Sequence, residues 1–191
     1  MVEIPWSVVE AGSVDDIVAA LRAAPAYDLS EDGGPPHDLL DHSLQTALVL
    51  RRTHPEDVEL QIAGLVHDLG HILGPRRDEV HAEVSAAFVR PVLGERVAAL
   101  VRLHVPAKRY LVTTDPAYGA VLAADSVASL ATQGGEMDGA EVAAFEAEPY
   151  ATDALVLRRA DEAGKVAGLP VPGLESWMAV VHSHDARSTS S

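Results

Sequence analysis

Two side chains that commonly bind metals stand next to each other in an apolar stretch of the chain. His67 and Asp68 follow the apolar run 62–66 and precede Leu69, Gly70 and His71. A carboxylate buried in such a segment strongly destabilises the fold unless a positive charge meets it. A metal ion would supply that charge, and imidazole and carboxylate are both ligands that metals accept. The pair therefore indicates a metal site in the core.

Four more residues extend this pair into a larger set of candidate ligands: His42, His81, His104 and Asp161. Four histidines and two aspartates exceed what one ion with open positions for substrate needs, and a carboxylate such as Asp68 can bridge two ions. We therefore predict a dinuclear site. The residue types alone suit iron, zinc, manganese or magnesium.

Simpler interpretations exist for single members of this set. A lone buried histidine such as His42 is more often a hydrogen-bonded core residue than a ligand. Asp161 has basic neighbours that offer a structural ion pair instead: Arg158, Arg159 and Lys165. The adjacency of His67 and Asp68 favours the metal, as does the helical phase that Asp161 shares with Leu157. The other histidines considered receive no role: His54, His182 and His184.

Charge and composition limit the partners. The 191 residues carry a formal net charge of −15, which opposes binding to nucleic acid or to an anionic membrane. A small anionic substrate would need a local basic pocket. The chain has no cysteine, so any metal must be held by nitrogen and oxygen. No segment reads as a leader or a membrane span, and we expect a soluble, cytoplasmic protein.

Helical periodicity recurs along the chain and strand-like alternation is missing, so we predict an all-α fold. Even composition predicts a single domain over residues 1–191, with a core at about 37–166 against which an N-terminal and a C-terminal helix pack. Ser13, Asp57 and Asp138 are expected to begin helices. Pro106 is expected to end the helix that delivers His104. The predicted helices cover 13–24, 37–53, 57–71, 81–89, 95–103, 118–131, a short segment after 138, 152–166 and 173–184, with a loop at 25–36 and a frayed end at 187–191.

The order of the candidate ligands resembles the HD-domain superfamily, helical metalloproteins that are mostly phosphohydrolases. A finer match, from about Leu39 to Lys165, is similar to the 2-amino-1-hydroxyethylphosphonate dioxygenases, which are mixed-valent di-iron oxygenases related to myo-inositol oxygenase. That match rests on the segments 104–111, 125–126, 129–130, 133–137, 145–146 and 157–161.

The resemblance implies a compact HD-domain helical bundle that holds an Fe(II)/Fe(III) pair, with O2 as co-substrate. The reaction would cleave the carbon–phosphorus bond of a small 1-hydroxyphosphonate, 2-amino-1-hydroxyethylphosphonate or an N-substituted relative, giving phosphate and a carboxylic acid such as glycine. A 2-oxoglutarate-dependent hydroxylase would act before it. The implied ligands are His42, His67, Asp68 and Asp161 for one iron, and Asp68, His81 and His104 for the other.

Polar residues near these ligands are expected to bind the substrate: His71, Lys108, Ser126, Ser129, Gln133 and Arg158. Ser126, Ser129 and Gln133 share one helical face. Lys108 lies one turn after the ligand His104, so its ammonium can reach the site. Alone, such hydroxyls would more often satisfy nearby backbone groups, and such cations would more often be solvated. Their occurrence together favours an anion pocket.

The region before the first ligand departs from the dioxygenases. Those enzymes carry a tyrosine that occupies an iron until substrate arrives, and a glutamate three residues later that holds the substrate amine. Here Tyr27 and Glu31 are the available counterparts, and the spacing differs. With His71 and Lys108, Tyr27 completes the predicted catalytic residues. A substrate with a modified amino group, or with none, fits this departure.

Two other functions remain open at this point. An HD-type phosphohydrolase would use a metal-activated water to attack a nucleotide or a small phosphoester, and it would need no oxygen. A non-catalytic metal- or ligand-binding module would gain stability from metal without turning over a substrate.

Overall fold

The computed structural model describes residues 9–29, 37–74 and 79–185. Within these ranges the chain is helical, with an isolated bridge between Asp28 and Asp38 as its only strand-like pairing. The all-α prediction is confirmed. The helices are α1 (Val14–Ala23), α2 (Leu39–Thr53), α3 (Val58–Val66), α4 (Gly70–Leu73), α5 (His81–Thr114), α6 (Pro116–Gly119), α7 (Ala124–Thr132), α8 (Gly139–Glu146), α9 (Ala151–Ala163) and α10 (Met178–Ser183).

Four of these helices form the centre of the molecule. Helix α2 packs against α3 and α9, and α5 packs against the same two helices. Their facing sides contribute Leu50, Leu65, Leu100 and Leu157, each with no exposed surface. Burial of leucine side chains stabilises the fold by roughly 1.5–3 kcal/mol each, so this packing fixes the relative positions of the four helices. None of the described helices is long and apolar enough to cross a membrane.

The predicted N-caps are confirmed by their side-chain hydrogen bonds. Ser13 accepts from the backbone amide of Asp16, and Asp57 accepts from that of Leu60. Asp138 forms a reciprocal capping box with Glu141. A short polar side chain at such a position satisfies an amide that has no partner within its helix, which is why these starts can be predicted from sequence.

The prediction that Pro106 ends a helix was wrong, because α5 continues to Thr114. An interior proline removes one backbone hydrogen bond and destabilises a helix by roughly 3 kcal/mol. Here Leu103, Ala107 and Leu111 on either side of it are almost fully buried, and their packing offsets that loss. The tail predicted to fray, 187–191, lies outside the described residues.

Two other predicted helices are interrupted. The helix predicted over 57–71 stops at Val66, and a turn at 67–69 precedes α4, with the amide of Leu69 donating to the carbonyl of Val66. The helix predicted over 118–131 is divided into α6 and α7, since Asp115 caps a separate short helix with Pro116 in its first turn. Both breaks depend on contacts that cannot be predicted from helical periodicity.

The break inside α5, where two helices were predicted, lies at Gly94. Its φ of 84° and ψ of 176° belong to a region that only glycine adopts readily. We expect Gly94→Ala to lower the free energy of unfolding by about 1–3 kcal/mol, measured by urea denaturation. The control is Gly139→Ala, where a new Cβ meets nothing within 4 Å. Equal stability of Gly94→Ala and wild type would contradict this account.

Candidate metal centre and substrate cavity

The six candidate ligands lie on three of the four central helices and in the turn that follows the fourth. His42 lies on α2, His81 and His104 lie on α5, and Asp161 lies on α9, while His67 and Asp68 occupy the turn after α3. They form two groups, and within each group the ligand atoms lie within 4.8 Å of one another. The first group is His42, His67 and Asp161, and the second is Asp68, His81 and His104.

Ring nitrogens face each other at short distances in both groups. The Nε2 atoms of His42 and His67 are 3.2 Å apart, and those of His81 and His104 are 3.0 Å apart. In the first group the Nδ1 atoms point at backbone carbonyls, of Gly164 at 3.1 Å and of Gly64 at 2.9 Å. If each Nδ1 carries the proton and donates it there, both Nε2 lone pairs converge, which suits a shared cation.

Asp68 lies between the two groups. Its Oδ2 atom is 3.3 Å from Nε2 of His67 and 3.5 Å from Nε2 of His42. Its Oδ1 atom is 3.3 Å from Nε2 of His81 and 3.4 Å from Nε2 of His104. One carboxylate oxygen therefore faces each group, which is the arrangement of a bridging ligand in a two-metal site.

Two glycines permit the close backbone contacts on which this geometry depends. A Cβ on Gly164 would lie 2.5 Å from Oγ1 of Thr46, so only glycine lets the end of α9 approach α2 and bring its carbonyl to His42. A Cβ on Gly70 would lie 2.0 Å from the carbonyl oxygen of His81. Glycine there lets the turn after Asp68 lie against the start of α5.

A cavity of about 390 Å³ opens onto both groups, and this volume suits a small substrate. Besides candidate ligands, six residues singled out from the sequence line it: Tyr27, His71, Lys108, Ser129, Gln133 and Arg158. Ser126 is not among the lining residues, and Glu31 lies outside the described residues. The imidazole of His71 stacks on that of His81 with ring centroids 4.2 Å apart, and Tyr27 follows it at 5.1 Å.

Comparison with known proteins identifies the family to which the chain belongs. The family model of the HD domain matches residues 39–162. The chain belongs to the HD-domain family. A hydroxymethylphosphonate dioxygenase of Gimesia maris is 39% identical over 153 residues, covering 75% of this chain and 76% of that protein. A 1-hydroxy-2-(trimethylamino)ethyl phosphonate dioxygenase of Leisingera caerulea, named as forming glycine betaine, is 36% identical over 148 residues, covering 73% and 74%. This HD-domain protein is therefore an oxygenase.

The aspartates in this HD-domain site are strongly biased toward the charged form. Burial alone would raise the pKa of Asp161, but Arg158 and Lys165 hold it well below its usual range. Burial would likewise raise the pKa of Asp68, and the imidazoles around it hold it well below. Burial lowers the pKa of His104 to about 4 despite the nearby Asp68, so this ring is neutral at pH 7 and able to bind a metal. The site thus combines buried anions with a neutral nitrogen donor.

Lys108 and Arg158, two of the cations that line the cavity, have different partners. The ammonium of Lys108, 3% exposed, donates to Oγ of Ser129 at 2.8 Å and to the carbonyl of Ser126 at 3.4 Å, and both acceptors are neutral. The guanidinium of Arg158 instead donates to the carboxylates of Asp161 and Glu162, as well as to Tyr118 and Ser126. The charge of Arg158 is therefore compensated within the protein.

Sequence reasoning missed several residues of the site. Lys165 lines the cavity and its Nζ lies 3.7 Å from Oδ1 of Asp161. Its position one helical turn after Asp161 could have indicated that it reaches the site, but from the sequence Lys165 was considered only as an ion-pair partner of Asp161. His37 also lines the cavity, and an isolated histidine at a predicted helix start gave no such signal. Tyr118 and Glu162 can be assigned to the site only from the structure, in which both accept hydrogen bonds from Arg158.

We expect the protein to bind two metal ions per chain and Asp68→Ala to bind one or none, because both groups lose the same carboxylate. Metal content after reconstitution and desalting measures this. Asp15→Ala is a matched control, because the Asp15 side chain is exposed and contacts His182 away from the site. Full metal content in Asp68→Ala would show that Asp68 is not a bridging ligand.

Proposed function

We propose that this HD-domain protein uses O2 to cleave the carbon–phosphorus bond of a small 1-hydroxyphosphonate at a mixed-valent Fe(II)/Fe(III) site. The observation that carries the proposal is the buried ammonium of Lys108, which faces the same cavity as five of the six candidate ligands, all but His67, and donates to two neutral acceptors. A buried cation without a carboxylate partner favours an anionic ligand. The two named relatives act on phosphonates, which carry such an anion.

The donor set fits iron, since imidazole and carboxylate oxygen are common iron ligands and leave room for substrate. His42, His67 and Asp161 would hold one ion, His81 and His104 the other, and Asp68 both. Iron bound there supplies the redox chemistry by which O2 is used.

The remaining residues position the substrate. Lys108 would donate to the phosphonate, and Ser129 and Gln133, which line the same cavity, would add neutral donors. His71, stacked on the candidate ligand His81, would contact the reacting end. The balance of the reaction requires that C1 lose one hydrogen and its bond to phosphorus, that one oxygen atom of O2 be added to each product, and that one proton be released. Burial of the site limits access of water to the reacting atoms.

The cavity also bears on the substituent at C2 of the substrate. Among the described residues that line it, the carboxylates are Asp68 and Asp161, and both are candidate metal ligands. The described part of the wall thus offers no separate carboxylate for a substrate amine, while Leu29, Val105 and Ala167 are apolar. This favours hydroxymethylphosphonate, or a substrate with a small uncharged substituent, over 2-amino-1-hydroxyethylphosphonate. A 2-oxoglutarate-dependent hydroxylase that installs the C1 hydroxyl would supply such a substrate.

The direct test measures O2 uptake and phosphate release by the iron-loaded protein. The panel contains hydroxymethylphosphonate, 2-amino-1-hydroxyethylphosphonate and its N-trimethyl derivative, with methylphosphonate as the control without a hydroxyl group. We expect one phosphate for each O2 consumed and the highest kcat/KM for hydroxymethylphosphonate. Equal phosphate release without oxygen, or turnover of phosphoesters instead, would identify a phosphohydrolase. Metal-dependent stabilisation without any turnover would identify a binding module.

The pH dependence of kcat/KM tests the role of Lys108. Burial, with a smaller effect of Arg158, lowers the pKa of Lys108 to about 8. Its ammonium is charged below that pH, so attraction for the phosphonate should be lost as the pH rises through it, with kcat/KM falling by up to about tenfold per pH unit. Lys108→Arg keeps its charge at all these pH values and should remove this decline. Superimposable profiles of the two proteins would rule out Lys108 as the titrating group.

A further inference from the structure

Helix α7 carries the polar face of the proposed phosphonate pocket but buries little apolar surface. Of its described side chains, Ser126 alone is buried, while Val127 is 53% exposed and Leu130 is half-buried. A helix of nine residues is too short to be stable by itself in water. Its position must therefore be fixed by specific contacts with the central helices.

Those contacts converge on Glu162 of α9. The backbone amide of Ala123, the N-cap residue of α7, donates to Oε1 of Glu162 at 2.5 Å, and the hydroxyl of Ser126 donates to Oε2 at 2.9 Å. Ala123 has no side chain that could cap the helix. Glu162 thus does from a neighbouring helix what the glutamate of a capping box does within its own helix. Its negative charge also lies favourably at the N-terminus of α7.

The same carboxylate orients Arg158. Oε2 of Glu162 accepts from Nη2 of Arg158, which also donates to Ser126 at 3.0 Å. Nη1 of that guanidinium donates to the candidate ligand Asp161, and Nε donates to Tyr118 at 2.6 Å. Glu162 therefore links α7 to the guanidinium that contacts the candidate metal centre.

We propose that Glu162 is a positioning residue for the substrate's phosphonate group. By holding the start of α7 and the guanidinium of Arg158 together, it keeps Ser129 and Gln133 on the wall of the cavity that Lys108 also lines, where they would meet the phosphonate oxygens. Its own oxygens are occupied by donors from Ala123, Ser126 and Arg158, so Glu162 would act through these groups and not by touching substrate or metal. This inference rests on the proposed function for the identity of the anion.

The test compares Glu162→Gln with Glu148→Gln. Both variants replace an ion-paired glutamate by its amide, and Glu148, which pairs with Arg102 at 3.0 Å, is not among the residues that line the cavity. We expect Glu162→Gln to raise KM for the hydroxyphosphonate about tenfold or more, because charge-assisted hydrogen bonds are lost. Its metal content and KM for O2 should not change. Glu148→Gln should match wild type in all three.

A purely structural role predicts another pattern, in which metal content, melting temperature and kcat fall together while KM for the hydroxyphosphonate stays constant. That pattern would overturn the proposal, as would an unchanged KM in a normally folded Glu162→Gln. If this variant does not fold, Ser126→Ala replaces it, because it removes one donor to Glu162 and leaves the carboxylate in place. Ser126→Ala should raise KM by a smaller factor, and an unchanged KM would again overturn the proposal.

Binding of inorganic phosphate separates this inference from the proposed reaction. Calorimetry on the metal-loaded protein without oxygen requires no turnover. Weaker phosphate binding in Glu162→Gln than in wild type and Glu148→Gln would support the positioning role even if no hydroxyphosphonate were consumed. Equal phosphate binding in all three proteins would overturn the positioning role, even if O2-dependent turnover by wild type supported the proposed function.

Discussion

The structure depends on two carboxylates that lie largely removed from water among the candidate ligands: Asp161, whose side chain is 3% exposed, and Asp68, whose side chain is 14% exposed. Removing Asp68 and Asp161 from water is strongly unfavourable unless positive charge surrounds them. Burial alone would lower the pKa of His67, yet these two carboxylates raise it above its usual value. Even with Arg158 and Lys165 beside Asp161, the carboxylates thus favour the protonated, positively charged form of the His67 ring. Metal ions would meet the same electrostatic need, which explains why four helices bring their ligands to one point.

This constraint also distinguishes the two cations that sequence reasoning treated alike. Lys108 and Arg158 each lie about one helical turn from a candidate ligand, so their spacing predicts equally well that either one binds a substrate anion. The structure pairs Arg158 with two carboxylates and Lys108 with a hydroxyl and a carbonyl. The charge of Arg158 is therefore compensated within the protein, while the charge of Lys108 would be available to a substrate anion. Spacing shows proximity, whereas hydrogen-bond partners show which charge is compensated.

The sequence predicted the parts of the molecule whose signals are local. Histidines and aspartates in apolar segments predicted a set of six candidate ligands, and the resemblance to the HD-domain superfamily implied their division between two metal ions. Short polar side chains predicted the starts of α1, α3 and α8. It failed where tertiary contacts decide the outcome. The helix persists through Pro106 because its neighbours are buried, and the turn after Val66 depends on the close approach of Gly70 to His81. Glu162 was missed because its partners Ala123 and Ser126 are more than thirty residues away in sequence.

The contacts that stabilise the fold differ from those that position the residues of the proposed substrate pocket. The central helices α2, α3, α5 and α9 are held by apolar packing, and they and the turn after α3 carry all the candidate metal ligands. Helix α7 is held mainly by polar bonds to Glu162, Arg158 and Lys108, so its position depends on charges near the metal centre. Substitutions on α7 can therefore alter the pocket without disturbing the core or the ligands. Such a division would allow the substrate pocket to vary while the candidate metal ligands stay in place.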